Sequence, residues 1–283
     1  MKREEISMLL EKGITKIRQE KPLIHVITNP VTCNDCANVL LAIGASPVMA
    51  EDPAEVAEIT QRCDSLVLNL GMLNSLKKEA MVLAGKKANQ KRIPVVFDPV
   101  GVGASSFRLR AAQELMEQVR FTAIRGNASE VLTLLYGEGR EKGVDASEAD
   151  SFGDGLPENV KKELCMFSRR TGAVLMLSGK TDYIVSGAQI AMVKNGSAWL
   201  GRITGTGCQL SAMLGAFLAV SQGHFFQAAV SGACAMGISG EIAEGSLRTG
   251  EGSGTFHIRL LDALSLLDDK TICDNSWVLE EGK

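Results

Sequence analysis

Short apolar runs alternate with longer amphipathic stretches through roughly the first two-thirds of the chain, and few folds accept that rhythm. The runs Leu23–Ile27, Ser65–Asn69, Pro94–Phe97, Phe121–Ile124 and Ala173–Leu177 are too short for helices, and several are apolar at nearly every position. Strands of a parallel sheet covered on both faces read this way, because each side of the pleat meets a helix layer. Between them, helical spacing covers Asn34–Ile43, Ala54–Arg62, Ser75–Gln90, Phe107–Val119 and Glu158–Arg170. That alternation, closed by right-handed crossovers, predicts a doubly wound three-layer α/β/α fold with a mainly parallel central sheet. Past Leu177 the rhythm changes. Tyr183–Ser186 and Gln189–Lys194 flank Gly187 as an antiparallel hairpin. A small-residue-rich helical region runs from Thr206 to Glu244 with a break near Gly223, and a last helix is expected at Ile258–Leu267. The stretch Gly137–Pro157, rich in glycine and acidic residues, reads as a surface excursion. No polar linker or shift of composition divides the chain, so residues 1–283 are expected to form one domain.

Composition narrows the function classes. A formal net charge of −3 gives no electrostatic reason to bind nucleic acid or an anionic membrane. An aromatic content of 5% disfavours a base-stacking surface. Charge of both signs opens the chain at Met1–Glu5 with no apolar segment behind it, unlike a signal peptide. The apolar stretch Leu210–Val220 is too short to span a bilayer. Seven scattered cysteines, an odd number, argue against a disulfide framework. The expectation is a cytoplasmic protein acting on a small molecule.

Ligands of open α/β sheets sit beyond the carboxyl ends of the strands. After Pro94–Phe97 comes Asp98-Pro99-Val100-Gly101, and after Phe121–Ile124 comes Arg125-Gly126-Asn127-Ala128-Ser129-Glu130. Asn127 is placed to cap a helix with Glu130 on its first turn. Asp98, Asn127 and Glu130 are hard oxygen ligands of the kind Mg²⁺ uses through waters beside phosphates. Asn127 and Glu130 also fit a simple capping box, worth about 1 kcal/mol. Their place beyond a strand adjacent to that of Asp98 favours the metal. Thr204-Gly205-Thr206-Gly207-Cys208 opens the long helical region, and successive amides at such a turn make an anion hole from Gly205, Thr206 and Gly207. A glycine turn that only packs a helix on a sheet would look the same in isolation.

Several motifs are decoys. Ser178-Gly179-Lys180-Thr181 resembles the tail of a phosphate loop, but Val174 stands where its first glycine belongs and a hairpin follows. A dinucleotide fingerprint fails because Leu210 occupies the third glycine position. Cys33 and Cys36 form half a zinc or redox site with no second pair. His25, His224 and His257 show no triad spacing.

Taken together, Leu23–Asn29, Gly44–Ala50, Leu68–Gly71, Asp98–Gly101, Arg125–Glu130 and Thr204–Cys208 resemble the hydroxyethylthiazole kinases, in order and spacing, from about Leu23 to Leu267. The resemblance implies a ribokinase-like fold with no separate lid domain, and a homotrimer with active sites between subunits. It implies transfer of the γ-phosphoryl of ATP to the primary hydroxyl of 4-methyl-5-(2-hydroxyethyl)thiazole, with Mg²⁺. Met49 and Gly205 then match substrate contacts, and Arg125 matches an ATP contact. Ser178 stands where a threonine is frequent against the nucleotide, and the Asn127-x-x-Glu130 element matches the one used near Mg²⁺. Cys208 takes the position where related sugar kinases carry an aspartate base, and the helix amino end is expected to lower its pKa. Pyrimidine or pyridoxal kinases of the same fold usually carry that aspartate, which disfavours them. An inactive nucleotide sensor is disfavoured by the presence of Asp98, Arg125 and Glu130 together.

Overall fold

The computed structural model describes Leu10 and residues 12–137 and 155–281. The chain runs α1 (Gly13–Glu20), β1 (Leu23–Ile27), α2 (Cys33–Ile43), β2 (Ser46–Val48), α3 (Val56–Arg62), β3 (Ser65–Asn69), α4 (Ser75–Lys91), β4 (Val95–Asp98), α5 (Ser106–Gln118), β5 (Ala123–Asn127) and α6 (Ala128–Tyr136). It continues through α7 (Glu158–Thr171), β6 (Val174–Ser178), β7 (Asp182–Ser186), β8 (Gln189–Val193), α8 (Thr206–Ala219), α9 (Phe225–Gly245), α10 (Ser253–Leu266), α11 (Asp269–Asn275) and β9 (Val278–Glu281).

Among the described residues the strands form one nine-stranded sheet in the order β2-β1-β3-β4-β5-β6-β7-β8-β9. Pairing is parallel from β2 through β6 and antiparallel from β6 to β9. Side chains alternate across this sheet, as a pleat requires. Ile24, Val26, Val67, Val96 and Met176 face a layer containing α1, α2, α8, α9 and α10. Leu66, Leu68, Val95, Phe97 and Leu177 face a layer that includes α4, α5, α6 and α7. A single glycine sets the depth of the first layer. A Cβ at Gly215 in α8 would stand 2.7 Å from Val67 Cγ2 and 3.3 Å from Ile24 Cγ2, so its absence lets α8 lie close on β1 and β3. The amino end of α8 is thereby brought over the strand ends.

The direction in which strands are added reverses at β1, with β2 placed on one side of it and β3, also parallel, on the other. That switch point is where an open α/β sheet holds its ligand.

Strand and helix positions agree with the sequence pattern to within a few residues, with informative differences. β5 begins and ends later than Phe121–Ile124, so Arg125 and Asn127 are strand residues, opposite Met176 and Ser178 of β6. The helix expected at Ile258–Leu267 starts at Ser253. Pattern reading missed the short strands β2 and β9 and helix α11, which are too short to show a period, and also α1, although its Ile14 and Ile17 lie buried at helical spacing. The expected excursion at Gly137–Pro157 falls mainly on residues 138–154, outside the described residues. No helix among the described residues is long and apolar enough to cross a membrane.

Candidate active site

Adjacent parallel strands end in polar side chains at the same edge: Asn69 opposite Asp98, and Asn127 opposite Ser178. Asn29 follows the end of β1 on the same edge. Above this row lies a cleft of about 550 Å³ whose lining includes Asn29, Arg125, Asn127, Glu130, Gly205, Gly207 and Cys208.

Gly205 caps α8 with φ +86°, a left-handed conformation, and a Cβ there would stand 2.6 Å from Thr32 Cγ2. Having no side chain, it offers no cap hydrogen bond, so the first-turn amides of α8 face the cleft with a helix dipole behind them. Gly207 lies under the Arg125 guanidinium, and a Cβ there would meet Nη1 at 2.5 Å. Arg125, 8% exposed, donates through Nη2 to Ser178 Oγ at 2.5 Å. The Thr206 hydroxyl donates back to the Leu200 carbonyl at 3.0 Å, and Thr206 is not among the residues lining the cleft, so what it offers an anion is its backbone amide, as expected of the turn.

Asn127 and Glu130 form the complete capping box. Asn127 Oδ1 accepts from the Glu130 amide at 2.7 Å, and Glu130 Oε2 accepts from the Asn127 amide at 2.8 Å. Glu130 Oε1 also accepts from the Gly101 amide at 2.9 Å, pinning the β4 loop to α6. The capping and metal readings are therefore compatible, since each carboxylate oxygen keeps a further lone pair. Asp98 is fully buried; its Oδ2 accepts from Asn69 Nδ2 at 2.8 Å and Ser211 Oγ at 2.7 Å. Its Oδ1 is buried with no hydrogen-bond partner. Burial pushes its pKa up to about 6, against the opposing pull of Arg125.

Among the described residues no group of three or more acidic, cysteine or histidine side chains could cage a metal. A site with the lone oxygen of Asp98 and the carboxylate of Glu130 fits Mg²⁺ held through waters and phosphates, and no all-protein cage.

Cys208 Sγ accepts from Asn69 Nδ2 at 3.2 Å, with Asn29 Nδ2 at 3.8 Å. The expected lowering of its pKa is wrong. Burial raises it, the Asp98 charge adds to the rise, and hydrogen bonds from Thr32 and Asn69 with the charge of Arg125 only partly oppose it. Met49, beside β2, is not among the residues lining the cleft; it is half-buried against the α2–α8 layer. Sequence reasoning gave no role to Asn29, Asn69, Ser211 or Arg108. Arg108 Nη1 holds the Leu70 and Val100 carbonyls at 2.7 and 2.9 Å, tying the β3 and β4 loops together. The available signal was a polar residue closing an apolar strand, which Asn69 shares with Asp98. His25 is a core residue, between Thr60 Oγ1 and the Ala50 carbonyl.

Known proteins place this cleft in context. The hydroxyethylthiazole kinase family model matches residues 14–270. A hydroxyethylthiazole kinase of Clostridium acetobutylicum is 44% identical over 266 residues, covering 94% of this chain and 97% of that protein. The solved structure of the hydroxyethylthiazole kinase protein from Pyrococcus horikoshii superimposes with a TM-score of 0.83 at 35% identity, over 98% of this chain and all of that one. A ribokinase-like superfamily protein from Enterococcus faecalis shares the fold alone, with a TM-score of 0.59 at 10% identity over 93% of this chain and 94% of its own. With the match extending from α1 to α11 and including every strand end that builds the cleft, the chain belongs to the hydroxyethylthiazole kinase family.

Proposed function

We propose that this protein, as one ribokinase-like domain, transfers the γ-phosphoryl of ATP to the primary hydroxyl of 4-methyl-5-(2-hydroxyethyl)thiazole, with Cys208 beside the acceptor alcohol. The observation that carries the assignment of residues is the meeting of the α8 amino end, Arg125 and Cys208 in one cleft on the switch-point edge of the sheet. A phosphoryl group at Gly205–Cys208 would lie against backbone amides that glycine leaves accessible. Arg125, steadied by Ser178, supplies a guanidinium for the phosphate oxygens. Glu130 and Asp98 would hold Mg²⁺ through water, and the ion, when bound, offsets charge on the β- and γ-phosphates.

Phosphoryl transfer has a loose transition state, so positioning and charge neutralisation dominate over proton removal. The alcohol oxygen forms the new P–O bond as the bond to the β-phosphate oxygen breaks. The hydroxyl proton leaves late, and Cys208 in its thiolate form is the acceptor this chain offers. A thiol with a raised pKa is a poor obligatory base, which suits an assisting role. Met49 is assigned to the thiazole ring as a soft apolar wall, brought to the cleft across a subunit boundary. An ATP-consumption assay with the thiazole alcohol, hydroxymethylpyrimidine and pyridoxal side by side tests the reading. Turnover should be fastest with the thiazole alcohol; a preference for either other alcohol would overturn it.

A further inference from the structure

Asn69 ends β3 and is 1% exposed, and its carboxamide has more partners than holding a strand end requires. The Gly71 amide N–H, which can only donate, lies 2.9 Å from Oδ1 and so fixes which way the carboxamide faces. Nδ2 therefore points to the opposite side, where its two hydrogens meet two acceptors: Asp98 Oδ2 at 2.8 Å and Cys208 Sγ at 3.2 Å. Asn29 Nδ2 braces the same unit, donating to Asn69 Oδ1 at 3.1 Å. A Cβ at Gly71 would come within 2.5 Å of Asn29 Nδ2 and 2.8 Å of Asn69 Oδ1, so the brace depends on glycine there.

We propose that Asn69 is a positioning residue for phosphoryl transfer, whose amide pins the Cys208 sulfur as a hydrogen-bond acceptor and couples it to the buried Asp98 carboxylate. The proposal rests on the reading of Cys208 as the group beside the acceptor alcohol. An N–H donor favours negative charge on sulfur, and here it works against the burial and the neighbouring carboxylate that oppose it. One nitrogen serves both acceptors. Its loss leaves Asp98 Oδ2 with Ser211 Oγ alone at 2.7 Å and, of amide donors, leaves the sulfur only the long contact to Asn29 Nδ2 at 3.8 Å, which frees it to turn from its place over the strand end.

Asn69→Asp keeps the shape and replaces the donor with an acceptor; Asn69→Ser keeps a single donor. Two readouts separate positioning from mere stability. The first is the rate of iodoacetamide labelling at Cys208 at one pH, with the half-buried thiols of Cys33, Cys165 and Cys273 as internal controls. Both variants should label Cys208 about tenfold more slowly while the control thiols keep their rates. The second is single-turnover phosphorylation, which should fall at least tenfold with ATP and thiazole binding within about threefold, and fall far less when Asn69→Ser is made in Cys208→Ala. Unchanged labelling of Cys208 in a folded variant, or the same loss in the Cys208→Ala background, would overturn the proposal. Faster labelling of the control thiols reports unfolding in Asn69→Asp, and Asn69→Ser then decides. The labelling readout needs no turnover, so it stands even if the wild-type protein fails to phosphorylate the thiazole alcohol.

Discussion

A thiol at a helix amino end ordinarily ionises more easily than a free one. At Cys208 the burial and the nearby Asp98 carboxylate overcome that tendency and push the pKa up. A thiol of that kind can assist a loose transition state without being indispensable to it. Cys208→Ala is therefore expected to lose about 10²-fold in single-turnover rate, the low end of the 10²–10⁴ range for removing a general acid or base. Cys208→Asp should retain substantial activity, because a carboxylate accepts the same proton from the same place and the α8 dipole partly offsets its charge. Abolished turnover in both, with substrates still bound, would make the thiol itself essential. Asp98 gives a second residue-scale prediction. Its folded pKa of about 6 lies above the ordinary aspartate value near ~3.9, so the folded state binds that proton more tightly than the unfolded chain. Between those two values stability from this group falls as pH rises, and above them the loss is constant, at most about 3 kcal/mol. Asp98→Asn should thus be more resistant to urea than wild type at pH 8 while losing activity, with the gap closing towards pH 4. A variant less stable at pH 8 would mean that the Ser211 and Asn69 bonds outweigh the buried charge.

At the scale of elements, the capping box at the head of α6 ties that helix to the β4 loop through one carboxylate. Glu130 receives the Asn127 and Gly101 amides on separate oxygens. Glu130→Gln turns one of those acceptors into a donor facing an N–H, which should cost about 1–3 kcal/mol of stability. If the same carboxylate also holds Mg²⁺ through water, turnover should fall and the Mg²⁺ needed for half-maximal rate should rise. Lost stability with an unchanged Mg²⁺ requirement would leave Glu130 a cap and pin only. The box itself was legible in sequence, because Asn-x-x-Glu after an apolar strand is a local signal. So was the row of strand ends at Asp98 and Asn127. Asn69 escaped because its partners, Gly71 apart, lie 29, 40 and 139 residues away, and no local spacing encodes them. The edge strand β2 escaped because three residues around Pro47 are too few to show a period. Arg125 was recognised, yet its placement depends on Gly207 leaving room beneath the guanidinium, a contact between β5 and α8 that only packing reveals.

For the whole molecule, the cleft has an apolar rim that this chain does not cover. Val31 and Met72 line it and are 60% and 55% exposed, and the neighbouring Leu76 is 66% exposed. Met72 also adopts a positive φ of 48°, an uncommon conformation for a residue with a side chain and one that costs strain. Apolar side chains held outward beside a polar cleft suit a second copy of the chain, whose approach would bury them and narrow the opening. Met49 has the complementary problem, being assigned to the thiazole while lying away from the cleft of its own chain. Both are resolved if the site is closed by a neighbouring subunit, so the 30.2 kDa chain is expected to sediment as a trimer. Met72→Asp should put a charge into that contact, shift the mass towards the monomer and raise the KM for the thiazole alcohol more than that for ATP. On the proposed reading ATP would be held mainly by Arg125 and the α8 amides of one chain, whereas the alcohol would depend on the closed rim. A fully active monomer, or a trimer in which Met72→Asp raises neither KM, would place the thiazole site within one subunit and return Met49 to the core.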